Sequence, residues 1–308
     1  MMNITLKPFW PVPRLFMIGI ATVIPIITSA FPAHAKDMFL RFEAYWGGAH
    51  IADFTLSLTR KNDTFENTFH LESRGLTRYF THLSAIATST GHIIAPPAKA
   101  QGMDTVGNGA NLPQAETYMA QNYRTEYTNK RHFRWVDIKF GAPGKPATAI
   151  TGTAPVPGRE ENWNPKDKGP EALDKVPAQY RIGVNDPISL VPQMIAIVRT
   201  HLHGGPDFGI IKGFDGRRRF DMNIRHMGNV QRTIAGKIHA TYWVRINPKP
   251  VAGFKNKQKT LWNNAAYDFY LSRDDEFVPL QIVPVKHGPV LTMVKRCDKA
   301  CEIKSLEE

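Results

Sequence analysis

Apolar and polar residues alternate along most of the chain after residue 37. Ala52, Phe54, Leu56 and Leu58 interleave with Asp53, Thr55, Ser57 and Thr59, the period-two pattern of a strand with one buried and one wet face. Met38 to Tyr45 is a second such run, joined to the first through Trp46-Gly47-Gly48-Ala49, which reads as a hairpin turn. Further strands are predicted over Phe65 to Arg74, Tyr118 to Tyr127, Phe133 to Phe140, and Lys237 to Ile246. Tyr267 to Leu271, Val278 to Val285 and Val290 to Val294 repeat the pattern, the last two flanking His287-Gly288-Pro289. Roughly ten strands with few helices between them favour an antiparallel sheet over βαβ winding.

Two segments change period. Asp186-Pro187 supplies an N-cap and a preformed first turn, and Ile188 to Leu202 places Leu190, Val191, Met194, Ile195 and Val198 on one stripe. This helix is expected in the mouth or on one face of the sheet. A shorter helix is predicted over Leu76 to Leu83. Residues 141–179 hold seven Pro and five Gly in 39 positions, which predicts a long loop acting as linker, lid or wrapping arm. The expected fold is mainly β: a single antiparallel sheet, strongly curved into an open barrel or spiral, with one main helix and that loop.

The N-terminus has another character. Lys7 and Arg14 precede an apolar run from Leu15 to Ile27, and Ala33-His34-Ala35 follows it. This is the layout of an export signal cleaved before Lys36, leaving residues 36–308 as one domain in the periplasm. The alternative is an uncleaved anchor, which Pro25 and the small residues at 33 and 35 disfavour. Across 308 residues, Lys and Arg total 39 against 27 acidic residues, a net charge of +12. Export removes nucleic acid from the expected partners of this basic chain. Lipid, lipopolysaccharide and peptidoglycan-associated components remain. Cys297 and Cys301, the chain's two cysteines, are expected to pair as a local disulfide in an oxidising compartment.

Candidate chemistry centres on Phe214-Asp215-Gly216-Arg217-Arg218-Arg219-Phe220. Asp215-Gly216 predicts a tight hairpin turn with positive φ at both central positions. If Phe220 and Met222 face the core, alternation turns Arg218 inward and leaves Arg217 and Arg219 outward. A buried Arg218 needs a carboxylate or an anionic ligand, so these three arginines are the candidate ligand-binding residues. His201 and His203 end the predicted helix, where they suit its C-terminal dipole better than a metal site. Tyr123, Tyr127, Phe133 and Trp135 are either a sugar-stacking platform or core. No catalytic residues, cofactor or metal are expected, since neither H-E-x-x-H nor G-x-S-x-G occurs.

The chain resembles the bacterial domain-of-unknown-function family 3108 (DUF3108). The resemblance rests on Tyr45-Trp46-Gly47-Gly48 with Asp53-Phe54, on Asp186-Pro187-Ile188-Ser189, and on the Phe214 to Phe220 motif. It implies an exported, β-rich protein without an assigned catalytic activity. The expected function is therefore a non-enzymatic envelope protein that binds an apolar or anionic amphipathic ligand, or an envelope partner. The alternative is a hydrolase or transferase of cell-wall polymer whose catalytic residues are dispersed along the chain.

Overall fold

A computed structural model describes residues 37–96, 114–130, 132–156, 171–172, 175–299 and 301. The export signal predicted over residues 1–35 lies outside them. The described strands form one fourteen-stranded sheet in which every named strand pair is antiparallel, in the order β8-β7-β6-β5-β4-β3-β2-β1-β14-β13-β12-β11-β10-β9. Chain order is kept outward from the β1–β14 pair on both sides. The terminal strands β1 (Met38–Trp46) and β14 (Val290–Cys297) thus meet in the middle of the sheet.

One face of this curved sheet is the core. On β1 the buried positions are Met38, Leu40, Phe42 and Ala44, and on β2 (Ala49–Lys61) they include Leu56 and Leu58. β3 (Thr64–Ser73) and β4 (Ser84–Ile94) follow, with helix α1 (Gly75–Thr81) between them. β4 turns Ala85, Ala87, Ser89 and Gly91 to the inside and Ile86, Thr88 and His92 outward. Small inward side chains leave room in the lumen, and helix α2 (Leu190–Leu202) occupies it. Met194, Ile195 and Val198 of α2 are buried against the sheet, as their spacing predicts.

The remaining strands are β5 (Thr117–Thr128), β6 (Phe133–Lys139), β7 (Thr148–Ala154), β8 (Glu171–Ala172), β9 (Phe208–Phe214), β10 (Arg219–Ile234), β11 (Lys237–Ala252), β12 (Tyr267–Ser272) and β13 (Pro279–Pro284). Helix α3 (Asn256–Asn263) links β11 to β12. The sheet does not close on itself. Instead, residues 181–185 reach both of its flanks: Ala147 N–H donates to the Arg181 carbonyl, and Phe214 N–H donates to the Asn185 carbonyl.

The open, barrel-like class expected from alternation is what forms. The predicted loop over 141–179 is not: it contains β7, paired with β6 from Phe133↔Ala154 to Lys139↔Thr148, and the short β8. Pro and Gly obscure β7 because prolines bracket it and Gly152 lies within it. Pro146 and Pro155 flank the run, and Gly152 sits where a Cβ would strike the Trp135 ring at 2.4 Å.

Candidate functional site

Strand direction gives the sheet two rims. The β1–β2 turn, α1, the β5–β6 turn, the β9–β10 loop, α3 and the β13–β14 turn all lie at one rim, called the upper here. In the lower half of the lumen α2 fills the space. Ala196 packs with Phe65, Ile93 and Tyr118. The Gln193 side chain accepts from Tyr118 N–H at 2.6 Å and donates to the Glu116 carbonyl at 2.8 Å.

The upper half holds a cavity of about 310 Å³ instead. Its wall is Phe42, Phe54, Leu56, Phe69, Phe269, Ile282 and Leu291 from six strands, with Ala85 and Ala87 opposite and Pro187, Ile188 and Val191 at its floor. Tyr123 and Thr125 add its few polar atoms. Burial pushes the Tyr123 phenol upward, so it remains a neutral hydrogen-bonding group. The Phe54 and Phe69 rings tilt against each other at 5.6 Å. An apolar chamber of this size suits the hydrocarbon part of a small ligand.

Between the halves lies a wholly buried polar hinge. Asp186 is 0% exposed. Its Oδ1 accepts from the N–H groups of Ile188 and Ser189 at 2.8 and 3.0 Å, and the Ser89 hydroxyl donates to Oδ2 at 2.6 Å. Ser89 and Ser189 oxygens are 3.1 Å apart. Asp186 therefore caps the turn Pro187-Ile188-Ser189 that leads into α2, with Ser189 itself at the helix boundary. Burial raises its carboxyl above the usual range, partly offset by these hydrogen bonds. The hinge ties α2 to β4 and sets the depth at which the cavity floor stands.

The candidate arginines have different partners: Arg218 pairs with Asp215 and Arg219 with Asp221. Phe214 pairs with Arg219, so the β9–β10 loop is four residues, Asp215 to Arg218, rather than a two-residue turn. Asp215 organises it: Oδ1 accepts from the N–H groups of Arg217 and Arg218 at 2.9 and 2.7 Å. Positive φ falls on Gly216 (87°) and not on Asp215. Arg218 precedes the strand and escapes its alternation; its guanidinium, about one-third exposed, meets Asp215 Oδ2 at 3.0 Å and lies over the Phe254 and Trp262 rings. The buried arginine is Arg219, 5% exposed, paired with Asp221 at 2.8 Å and bonded to the Phe220 carbonyl. It does lie opposite Phe220 in the alternation, but both faces of the sheet are covered at this corner. Arg217 is half-buried in the loop.

Other sequence candidates are placed as follows. His201 and His203 bond backbone carbonyls of Gly205 and Arg199 at the end of α2. Among the described residues, no group of three or more His, Cys, Asp or Glu is arranged to hold a metal. Tyr123 faces the lumen, whereas Trp135 lies outside beneath Arg124 at 5.4 Å, so the four aromatics form no shared platform. Cys297 and Cys301 form a disulfide, Cα atoms 5.7 Å apart. One polar cluster was not anticipated from sequence: buried Asp53 receives Arg74 Nε at 2.8 Å, His50 Nε2 at 2.9 Å and Arg41 at 3.2 Å. Alternation assigns Asp53 to the wet face of its strand, but it is 2% exposed, because its ion pairs cover it.

No family model matches the chain, and no curated protein matches it. A solved structure described as a beta-barrel-like protein of domain of unknown function DUF1849, from Brucella abortus, aligns over 84% of this chain and 95% of its own. Identity is 11% and the TM-score is 0.43. The expected resemblance to family 3108 does not stand, because no family model matches the chain. The short turn and capping motifs behind the resemblance serve local geometry, which unrelated chains share. What the fold and cavity define is a class, an open barrel-like antiparallel sheet wrapped around an internal helix.

Proposed function

We propose that this protein is a non-enzymatic carrier of an apolar or amphipathic small molecule, held in the upper half of the lumen. The observation that supports this reading is the 310 Å³ chamber walled by Phe42, Phe54, Phe69, Phe269, Ile282 and Leu291. Unfilled apolar volume costs packing energy, which a bound hydrocarbon group would offset. The Cys297–Cys301 disulfide suits an oxidising compartment, and together with the apolar run near the N-terminus it supports work in the periplasm.

The test is titration with an apolar fluorescent probe such as N-phenyl-naphthylamine. Ala87 points into the chamber, so Ala87→Phe fills it from a rigid strand. We expect saturable probe binding by the parent and its loss in Ala87→Phe, with the melting temperature kept within a few degrees. Equal binding by both proteins removes the lumen as the site.

A further inference from the structure

The upper rim carries apolar side chains that no core explains. α1 buries none of its seven residues. Leu76, Tyr79 and Phe80 are 77%, 69% and 68% exposed, and Trp46, the last residue of β1 at the same rim, is 61% exposed. Tyr79 and Phe80 pack edge to face at 5.4 Å, and Lys130 Nζ lies 5.0 Å above the Tyr79 ring. Across the same rim, α3 exposes Leu261 beside Lys257 and Lys259, with Lys255 at its start. The β13–β14 turn adds exposed Lys286 and His287.

Charge separates the rims. In the described connections of the upper rim the acidic residue is Asp215, already paired with Arg218. The connections of the lower rim carry Asp63, Asp207, Asp274, Asp275, Glu276 and Asp298. Exposed aromatic and aliphatic side chains set among lysines match the interface of a bilayer with anionic headgroups, where rings sit at headgroup depth and each lysine gains from the surface potential. A protein partner of ordinary surface would not call for the excess of lysine over acid that the described connections of this rim show.

We propose that the upper rim docks on an anionic phospholipid surface, with Leu76, Tyr79, Phe80 and Trp46 entering the headgroup layer and the α3 lysines, Lys130 and Lys286 meeting phosphates. The docked rim is the one nearer the apolar chamber, because Ala85 and Phe269 stand close to the rim ends of β4 and β12. The docking also names where a ligand would enter, a corollary that rests on the carrier reading; the docking itself does not.

The experiment is vesicle co-sedimentation at low salt with residues 35–308. That unit contains every described strand and both core clusters, and it omits the N-terminal apolar run, which would bind lipid by itself. Vesicles are phosphatidylcholine alone or mixed with phosphatidylglycerol. We expect binding at least about tenfold stronger to the anionic vesicles, and suppressed by high salt. Replacing Leu76, Tyr79 and Phe80 together by Ser should weaken binding by about tenfold or more without changing the melt. Lys255, Lys257 and Lys259 changed together to Glu should remove the anionic preference. Binding that ignores both sets of changes, or that is absent from both vesicles, overturns the proposal. So does a concentration-dependent dimer that the α1 variant abolishes while vesicles remain unbound. Ala87→Phe separates the two readings: it should lose the probe and keep the vesicles.

Discussion

The two halves of the lumen are enclosed by the same strands and end in opposite states. In the lower half α2 lays Met194, Ile195 and Val198 against the sheet, and Gln193 satisfies the backbone of the incoming β5. In the upper half the helix has not yet begun, and the space it would fill remains an apolar chamber. The described connections of the rims differ in charge, with Asp63, Asp207, Asp274, Asp275, Glu276 and Asp298 below and Asp215 as the acidic residue above. Apolar side chains are packed where the helix lies, and an apolar volume of about 310 Å³ stands above it. One sheet serves both because its alternation is indifferent to what meets the apolar face.

The comparison is broken most directly by cutting into the packed half. Met194 is 1% exposed in the centre of the larger core cluster. Met194→Ala should destabilise by about 2–5 kcal/mol, the cost of lost burial plus a new cavity. Urea melts would measure this, and the folded fraction should bind the apolar probe as tightly as the parent. Ala87→Phe in the upper half should shift stability by less than about 1.5 kcal/mol, because it enters existing volume instead of overpacking. If both variants destabilise alike, the halves are not mechanically distinct.

The rim arginines sharpen the contrast at a smaller scale. Arg219 is buried and paired with Asp221, whereas Arg218 is about one-third exposed and pairs within its own loop. Arg219→Ala should cost about 3 kcal/mol, since it removes a buried charge partner and a bond to the Phe220 carbonyl. Arg218→Ala should cost no more than about 1 kcal/mol, the scale of an exposed ion pair with ring contacts. Chemical denaturation of the two single variants decides it, and the reverse order would restore Arg218 as the buried residue.

Why the sequence misplaced that charge is instructive. Alternation from Phe220 through Met222 to Ile224 is plain, and it correctly separates the faces of β10. It does not reveal where the strand starts. Asp215 holds a four-residue loop, and Gly213 leaves space that the Phe220 ring occupies, so pairing begins at Arg219. Alternation is also silent on which faces are covered twice. Most of the sheet and all of α2 were legible because their apolar stripes are long. α3 was not, because Asn-Lys-Gln-Lys-Thr-Leu-Trp-Asn has good helix formers but no long apolar stripe. The chamber was illegible for a related reason: Phe54, Phe69 and Ile282 have the spacing of core residues, and no pattern in one chain distinguishes core from cavity wall. The short helix predicted over Leu76 to Leu83 forms as α1, but a run that short does not reveal that its apolar residues stay exposed.

At the boundary between the halves Asp186 offers the smallest and most specific test. Its carboxyl is raised above 3.8, first by burial, with the hydrogen bonds from Ser189, Ser89 and Ile188 opposing the rise. A carboxyl whose folded value exceeds its unfolded value holds a proton in the folded state that the unfolded chain releases. Its contribution is complete below the unfolded value and is lost as pH rises through the folded one. Asp186→Asn keeps an acceptor for the Ile188 and Ser189 N–H groups, keeps a polar contact for Ser89, and carries no charge to desolvate. The variant should therefore match or trail the parent in acid and gain on it as pH rises. That gain should not exceed about 1.4 kcal/mol per pH unit for a single proton, and it should become constant above the folded value. Urea melts of both proteins from acid to neutral pH measure the difference directly. A difference that is flat across this range would mean that Asp186 titrates at its ordinary value, and that the boundary of the chamber is not the dry, charge-averse place its burial describes.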